Sequence, residues 1–188
     1  MSELIPFETL PHVLGSCEYG TLLRNERHHF IRKLLAEELG KKGWKVVEEV
    51  SCVESGGGSR RIDILAYDER KKVGMILDPT VRFEEDKDQP ERVNQEKKDI
   101  YESTVPFFKD KYKLNNMSVT GLMVGARGTI TKLFEDFIKQ HKLPASLCKR
   151  IALKALRRSI NILRHLLYTL LTSKVKQNYF VPCLKSRF

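Results

Sequence analysis

Two aspartates near the middle of the chain have the clearest capacity for chemistry. Asp63 and Asp78 lie almost symmetrically about the polar segment 68–72, which separates two apolar, β-prone runs. In an antiparallel hairpin with that turn, the two carboxylates stand nearly opposite each other, about 5 Å apart. Facing carboxylates destabilise a fold unless a cation neutralises them. The pattern therefore predicts a shared cation.

Magnesium, or manganese in its place, suits such a pair because Mg²⁺ prefers oxygen ligands and commonly takes one or two carboxylates with water and phosphate. A metal at this point would polarise a phosphodiester and activate a bound water. Glu49, near the end of the preceding strand, is a candidate third ligand. Lys97 and Lys98 are candidates to orient the water or offset charge in the transition state.

A structural alternative exists for the same residues. Either aspartate can cap a turn or form an ion pair with a neighbouring arginine, and a lysine in a charged run is usually solvated. The arginines available for such pairs are Arg60, Arg61 and Arg82.

The elements that must position these residues follow from apolar periodicity and from Gly and Pro positions. The first twenty residues are predicted to be irregular. After them we expect a helix over 22–39, a strand over 44–53, hairpin strands over 62–67 and 73–81, a helix over 91–101, a strand over 119–124, a helix capped by Thr129 or Thr131 and a long helix over 145–172.

This order predicts an α/β fold with a mixed sheet of about four strands flanked by helices and a long basic C-terminal helix. We expect residues 22–173 to form the domain, with 1–21 as a preceding linker and 174–188 as a loose tail. The apolar residues of the last helix predicted to face inward are Ile151, Leu156, Ile160, Leu163, Leu166, Leu167 and Leu170.

The net charge of +10 is concentrated at one end of the chain. From Phe137 onward there is no Asp or Glu, whereas twelve of the 34 Lys and Arg residues lie there. Such a patch favours a polyanion, although a solvated helix or a membrane-surface helix has the same composition. The candidate nucleic-acid-binding residues are Arg61, Lys149, Arg150, Lys154, Arg157, Arg158 and Arg164.

Cysteine spacing and apolar run length exclude other classes. The four cysteines form no CxxC pair, which argues against a disulfide framework or a self-contained zinc site. No apolar stretch reaches the roughly 18–20 residues of a membrane span. We therefore expect a reduced, intracellular protein that needs neither membrane nor zinc.

Several of these segments resemble one family, in the order in which they occur. His12 and Cys17 precede the pair Arg27-His28, and a strand of the form Gly-Trp-x-Val begins at Gly43. The remaining matching segments are Arg61-Ile62-Asp63-Ile64, Asp78-Pro79-Thr80, Glu96-Lys97 followed by Ile100-Tyr101, and Val124-Gly125-Ala126-Arg127-Gly128. Over about residues 10–172 the chain resembles the restriction-like endonuclease domain, of the PD-(D/E)XK type, in proteins of site-specific non-LTR retrotransposons.

The resemblance implies that Asp63 and Asp78 bind the catalytic metal and that Lys97 supplies the amine, which explains why Thr80 stands where wider relatives keep lysine. It implies double-stranded DNA as the partner, with element RNA as a second candidate, nuclear location, and an origin as a C-terminal fragment. The chain departs from the family pattern at Ile62, which replaces a proline, and at Ile100, which replaces a second helical lysine. The first two finger cysteines also have no counterpart before His12.

Three functions remain open at this point. The first is an active nuclease that nicks DNA by metal-assisted attack of water. The second is a catalytically silent nucleic-acid-binding remnant, and the third is a host interaction protein built on the same fold.

Overall fold

Four strands form the centre of the protein, and the computed structural model describes them within residues 9–175. They are β1 (Lys45–Val53), β2 (Ser59–Asp68), β3 (Val73–Arg82) and β4 (Asn116–Gly125), in the spatial order β1-β2-β3-β4. β2 runs antiparallel to both β1 and β3, whereas β4 runs parallel to β3. The predicted α/β class and the mixed four-stranded sheet are confirmed.

The β2–β3 hairpin forms where the sequence predicts it. Its turn is held by Asp68, whose Oδ1 accepts hydrogen bonds from the backbone N–H groups of Arg70 and Lys71 at 3.0 and 3.1 Å. The ladder pairs Asp68 with Val73 at the turn and Ile64 with Leu77 at the far end. The next residues in this register are Asp63 and Asp78, as the symmetry of the sequence predicts.

Beyond Ile64 and Leu77, strands β2 and β3 no longer pair with each other. β2 continues to pair with β1 as far as Ser59, whereas β3 continues with β4 as far as Arg82. The sheet therefore forks directly at the two aspartates. A fork of this kind opens a space between two strands that still have their outer partners.

Helices cover both faces of the sheet. They are α1 (Leu10–Gly15), α2 (Thr21–Lys41), α3 (Gln89–Tyr101), α4 (Val105–Tyr112), α5 (Lys132–Gln140) and α6 (Ser146–Val175). Residues of α2, α5 and α6 pack with Ile64 and Leu77, while Phe108 of α4 packs with Leu65 and Ile76. Alternate strand residues thus enter two separate apolar clusters, which explains why β2 and β3 read as continuous apolar runs.

Two helices lie where the sequence did not predict them. The expectation of irregular backbone over the first twenty residues is wrong for α1, which begins after Thr9, whose side chain accepts a hydrogen bond from the N–H of His12. Its residues Val13 and Leu14 are buried against α6. The second unpredicted helix, α4, begins with Pro106 in its first turn, a position that proline tolerates.

The predicted inward face of α6 is wrong in part. Ile151 is fully buried, but Leu156, Ile160 and Leu167 are 38%, 38% and 58% exposed. The helix has instead turned so that an i, i+4 row packs inward. This row consists of Leu147, Ile151, Ala155 and Ser159, and it continues to Ile162.

A buried polar contact accounts for this rotation. Ser159 donates to the carbonyl of Ala126 at 2.6 Å and accepts from Arg27 of α2 at 2.8 Å. A buried hydroxyl needs such partners, so α6 turns this polar residue toward α2 at the expense of larger apolar side chains.

The predicted tail beyond residue 175 and the first eight residues lie outside the described part of the chain. Within residues 9–175, no helix combines the length and apolar character needed to cross a membrane.

Candidate functional site

A cleft of about 340 Å³ lies at the fork of the sheet. Asp63 and Asp78 both line it, together with Lys97 from α3, as the sequence predicts. The remaining lining residues come from the end of α1, from α2 and from β3; they are Gly15, Arg24, Asn25, Arg27, His28, Thr80 and Val81. The cleft therefore brings together residues from five elements of the chain, α1, α2, β2, β3 and α3.

Asp78 is the more buried of the two carboxylates, with 6% of its side chain exposed. Its Oδ2 lies 3.0 Å from Nζ of Lys97 and accepts a hydrogen bond of 3.0 Å from the hydroxyl of Tyr101. Its Oδ1 accepts a hydrogen bond from Thr80. Burial, reinforced by the charge of Asp78, raises the pKa of Tyr101, so the phenol remains a hydrogen-bond donor.

Asp63 is more open, with 22% of its side chain exposed, and it contacts α2. Its Oδ2 lies 3.2 Å from Nε2 of His28. Burial is the largest influence on His28 and acts to lower its pKa, but the hydrogen bond and charge of Asp63 outweigh it. The net result is a His28 pKa above its ordinary value, which favours an imidazolium next to Asp63.

Lys97 is positioned by the close approach of α3 to β4. A Cβ atom at Gly121 would lie 2.7 Å from Cγ of Lys97 and 3.1 Å from Cα of Asn94. Only glycine leaves room for the lysine stem at this point. Asn94 also accepts a hydrogen bond from the N–H of Gly121 at 3.0 Å, which fixes the register of the two elements.

Lys98 is not part of this cleft. It lines a separate groove along β4 that also includes Glu102 and Val105. Consecutive helical residues point about 100° apart, so only one of the two predicted lysines can face Asp78. The structure selects Lys97.

Glu49 lies on β1 between Glu48 and Val50, which pair with Ile64 and Ile62 of β2, and its carboxylate is occupied by arginines. Oε1 lies 2.6 Å from Arg32 of α2, and Oε2 lies 2.7 Å from Arg61. The Arg32 hydrogen bond is the main reason why the pKa of Glu49 is lowered. Glu49 and Arg61, predicted as a metal ligand and a DNA contact, therefore form an ion pair, and neither lines the cleft.

The predicted basic face of α6 divides into two groups. Arg150 pairs with Glu38 and Arg158 with Glu26, each at 2.7 Å, so both arginines fasten α6 to α2. In the same region, Lys154 lies 4.9 Å from the ring centroid of Phe30. The other three are exposed and have no ion pair within the described residues; they are Lys149, Arg157 and Arg164.

The two remaining motif residues, Cys17 and His12, are held by contacts within the protein. Cys17 is 1% exposed, and Nδ1 of His12 lies 3.1 Å from the hydroxyl of Ser16. In the described region, no group of three or more His, Cys, Asp or Glu side chains is arranged to hold a metal ion.

Sequence reasoning assigned no role to Tyr101 or His28, which contact the two carboxylates. Tyr101 carries a usable signal because it lies four residues after Lys97 and so shares its helical face. His28 is marked in the sequence only as half of the motif pair Arg27-His28, and its contact with Asp63 depends on how α2 packs against the sheet.

Asp63 and Asp78 are the residues at the fork that could hold a magnesium ion. A carboxylate offers about four lone-pair positions. Asp78 uses three of them for Lys97, Tyr101 and Thr80, whereas Asp63 uses one for His28. The free positions suit a metal that takes two carboxylates and completes its shell with water and phosphate.

Comparison of the sequence with protein-family models finds no match, and comparison with curated proteins likewise finds none.

Proposed function

We propose that this chain is a metal-dependent endonuclease domain that nicks double-stranded DNA. In this proposal it acts in the nucleus and derives from a non-LTR retrotransposon, as its sequence motifs suggest. The observation that carries the proposal is the meeting of Asp63, Asp78 and Lys97 in one cleft at the fork of the sheet. Two carboxylates beside a buried amine suit the hydrolysis of a phosphodiester.

The residues of the cleft would have separate roles in the reaction. Asp63 and Asp78 would hold Mg²⁺ or Mn²⁺, which when bound supplies Lewis acidity and lowers the pKa of a coordinated water. Lys97 would stay fixed by Asp78 at 3.0 Å, oriented toward the cleft, and offset negative charge that develops on the phosphate. Tyr101 and Thr80 would hold the Asp78 carboxylate in one orientation.

A catalytically silent nucleic-acid-binding domain is the second candidate, and one observation favours it. Lys97 already balances the charge of Asp78, and three donors already satisfy its carboxylate. A fold can therefore keep Asp78 buried without any metal. In that case the basic residues bind the DNA backbone and no strand is cut.

Incubation with supercoiled plasmid separates the two candidates. The chain is compared with and without Mg²⁺ or Mn²⁺, alongside Asp63→Asn and Asp78→Asn. Asp110→Asn is the matched control, because that side chain is 87% exposed and remote from the cleft. We expect metal-dependent nicking by the parent and the control, and none by either cleft variant.

Circular dichroism of each variant establishes that it is folded before its activity is compared. Nicking by both cleft variants at the parental rate would refute the proposal. Binding that weakens steeply with salt, without nicking by any of the proteins, would establish the silent domain instead.

A further inference from the structure

One turn of α2 supplies much of the cleft wall and carries charge that the proposed chemistry does not use. Arg24, Asn25, Arg27 and His28 all line the cleft beside the two aspartates. Of these four, His28 contacts a carboxylate directly. Within residues 9–175, neither arginine has an Asp or Glu within ion-pair distance.

Arg27 is a buried cation that, within the described residues, forms no ion pair. It is 3% exposed, and it donates to the hydroxyl of Ser159 at 2.8 Å and to the carbonyl of Leu14 at 2.9 Å. Its Nε is buried and has no acceptor among the described atoms. Burial, followed by the charge of Arg24, lowers the pKa of Arg27 to about 10, so it remains charged at neutral pH.

A buried charge with neutral partners is costly unless something compensates it. Ser159 and Leu14 provide hydrogen bonds but no negative charge. Glu84 acts on Arg27 through its charge from a distance, and an anion in the adjoining cleft would add to this compensation. Arg27 would act on that anion through its field, because its own nitrogens are held by other residues or buried.

Arg24 is the cation that can make direct contact. Its guanidinium donates to the carbonyl of Cys17 and to the hydroxyl of Thr21, the latter at 3.0 Å. Three of its five donors remain, since a guanidinium has five N–H groups. A Cβ atom at Gly20 would lie 2.9 Å from Nη1 of Arg24, so the glycine leaves space for this placement.

The charge balance of the cleft favours an anionic ligand. Arg24, Arg27 and Lys97 provide three fixed positive charges, whereas Asp63 and Asp78 provide two negative charges. One positive charge therefore remains in excess before His28 is counted. A site for a cation alone would not carry this excess.

The position of Arg24 relates it to a particular phosphate. Arg24 lies four residues before His28, so the two are about 6 Å apart along the helix axis. His28 contacts Asp63, where the reacting phosphate would be held. A phosphate bound by Arg24 would therefore lie close to the phosphate at Asp63 and belong to the same stretch of backbone.

We propose that Arg24, supported by the buried charge of Arg27, forms a subsite for a DNA backbone phosphate that flanks the phosphate at Asp63 and Asp78. The subsite rests on the proposed endonuclease function, which it deepens by assigning α2 as the surface that positions the substrate strand. Asn25, exposed beside Arg24, can donate to the same phosphate. The cleft would then hold the strand at two points, and the phosphate at the aspartates would be fixed in orientation.

Salt-dependent DNA binding tests this subsite without requiring cleavage. A fluorescently labelled duplex is titrated with the chain in the presence of a chelator over a series of salt concentrations. Arg24→Gln removes the charge, and Arg24→Lys retains it. Arg92→Gln is the matched control, since Arg92 pairs with Asp86 on the surface and does not line the cleft.

We expect Arg24→Gln to bind about five-fold more weakly and to reduce the slope of log affinity against log salt by about 0.9, the value for one phosphate contact. Arg24→Lys should keep the slope, and Arg92→Gln should match the parent. Circular dichroism excludes unfolding as the cause. An unchanged slope in Arg24→Gln, or no duplex binding by the parent, would overturn the subsite.

The outcomes also separate this subsite from the nuclease proposal. If Arg24→Gln reduces the slope of log affinity against log salt but no protein nicks plasmid, the subsite stands and the nuclease proposal fails. If the parent nicks plasmid while Arg24→Gln keeps the slope, the nuclease proposal stands and the subsite fails.

Discussion

Replacing Lys97 with methionine tests the ion pair at the centre of the cleft. Only 15% of the Lys97 side chain and 6% of the Asp78 side chain are exposed, and their charged atoms are 3.0 Å apart. Methionine keeps the length of the side chain but removes the charge. The variant therefore leaves a buried carboxylate without its cation.

The expected loss of stability follows from these contacts. Breaking a buried pair by removing one partner costs about 3–5 kcal/mol. Tyr101 and Thr80 still donate to Asp78, so the cost should fall at or below the lower end, about 2–3 kcal/mol. For a protein of this size, this corresponds to a decrease in Tm of about 5–10 °C.

Urea denaturation followed by circular dichroism measures the change at neutral pH. Lys98→Met is the matched control, because Lys98 is the next residue on α3 but faces a different groove. Its effect should stay within about 0.5 kcal/mol. The double variant Lys97→Met/Asp78→Asn should be more stable than Lys97→Met, since no unpaired charge is left.

Magnesium provides a second readout of the same variant. If Asp63 and Asp78 share the ion, Mg²⁺ should stabilise Lys97→Met more than the parent, because the metal then neutralises a carboxylate that lacks its lysine. Equal losses of stability in Lys97→Met and Lys98→Met would refute the contribution of the Lys97–Asp78 ion pair to stability. An absence of any differential effect of Mg²⁺ would refute the shared ion.

Two further predictions follow from single contacts. Gly121→Ala should lower the free energy of unfolding by about 1–3 kcal/mol, because the new Cβ displaces Lys97. It should also reduce plasmid nicking further than this loss of stability explains. A urea titration measures the stability, and the plasmid assay measures the nicking. Glu38→Gln should cost about 1 kcal/mol at neutral pH, since the hydrogen bonds from Lys41 and then Arg150 lower the pKa of Glu38. A carboxylate with a lowered pKa stabilises the fold at pH values above its ordinary pKa of 4.5, and this stabilisation is lost as the pH falls. The free energies of unfolding of the parent and of Glu38→Gln should therefore converge in acid. A constant difference between them would contradict the ion pairs.

Sequence by itself determined the hairpin and the residues at its open end. The symmetry of Asp63 and Asp78 about the polar turn predicts the observed register, because a short antiparallel turn leaves the pairing few alternatives. The α/β class and the mixed sheet were predictable for a similar reason. Each depends on apolar periodicity, which is a property of neighbouring residues.

Tertiary structure alone decided which candidates meet. Lys97 and Lys98 are equivalent in sequence, and only the packing of α3 on Gly121 directs the first to Asp78. In the same way, the long-range pairs Arg32–Glu49 and His28–Asp63 give the two predicted ligands on β1 and β2 different surroundings.

The rotation of α6 shows the physical reason. Leu156 and Ile160 are as apolar as Ile151, so periodicity within the helix cannot choose among several possible inward faces. The choice depends on Arg27 and Ala126, which hydrogen-bond to Ser159 from positions more than 30 residues away in the chain. Contacts between distant segments are set by the packing of the whole chain, and no local pattern records them.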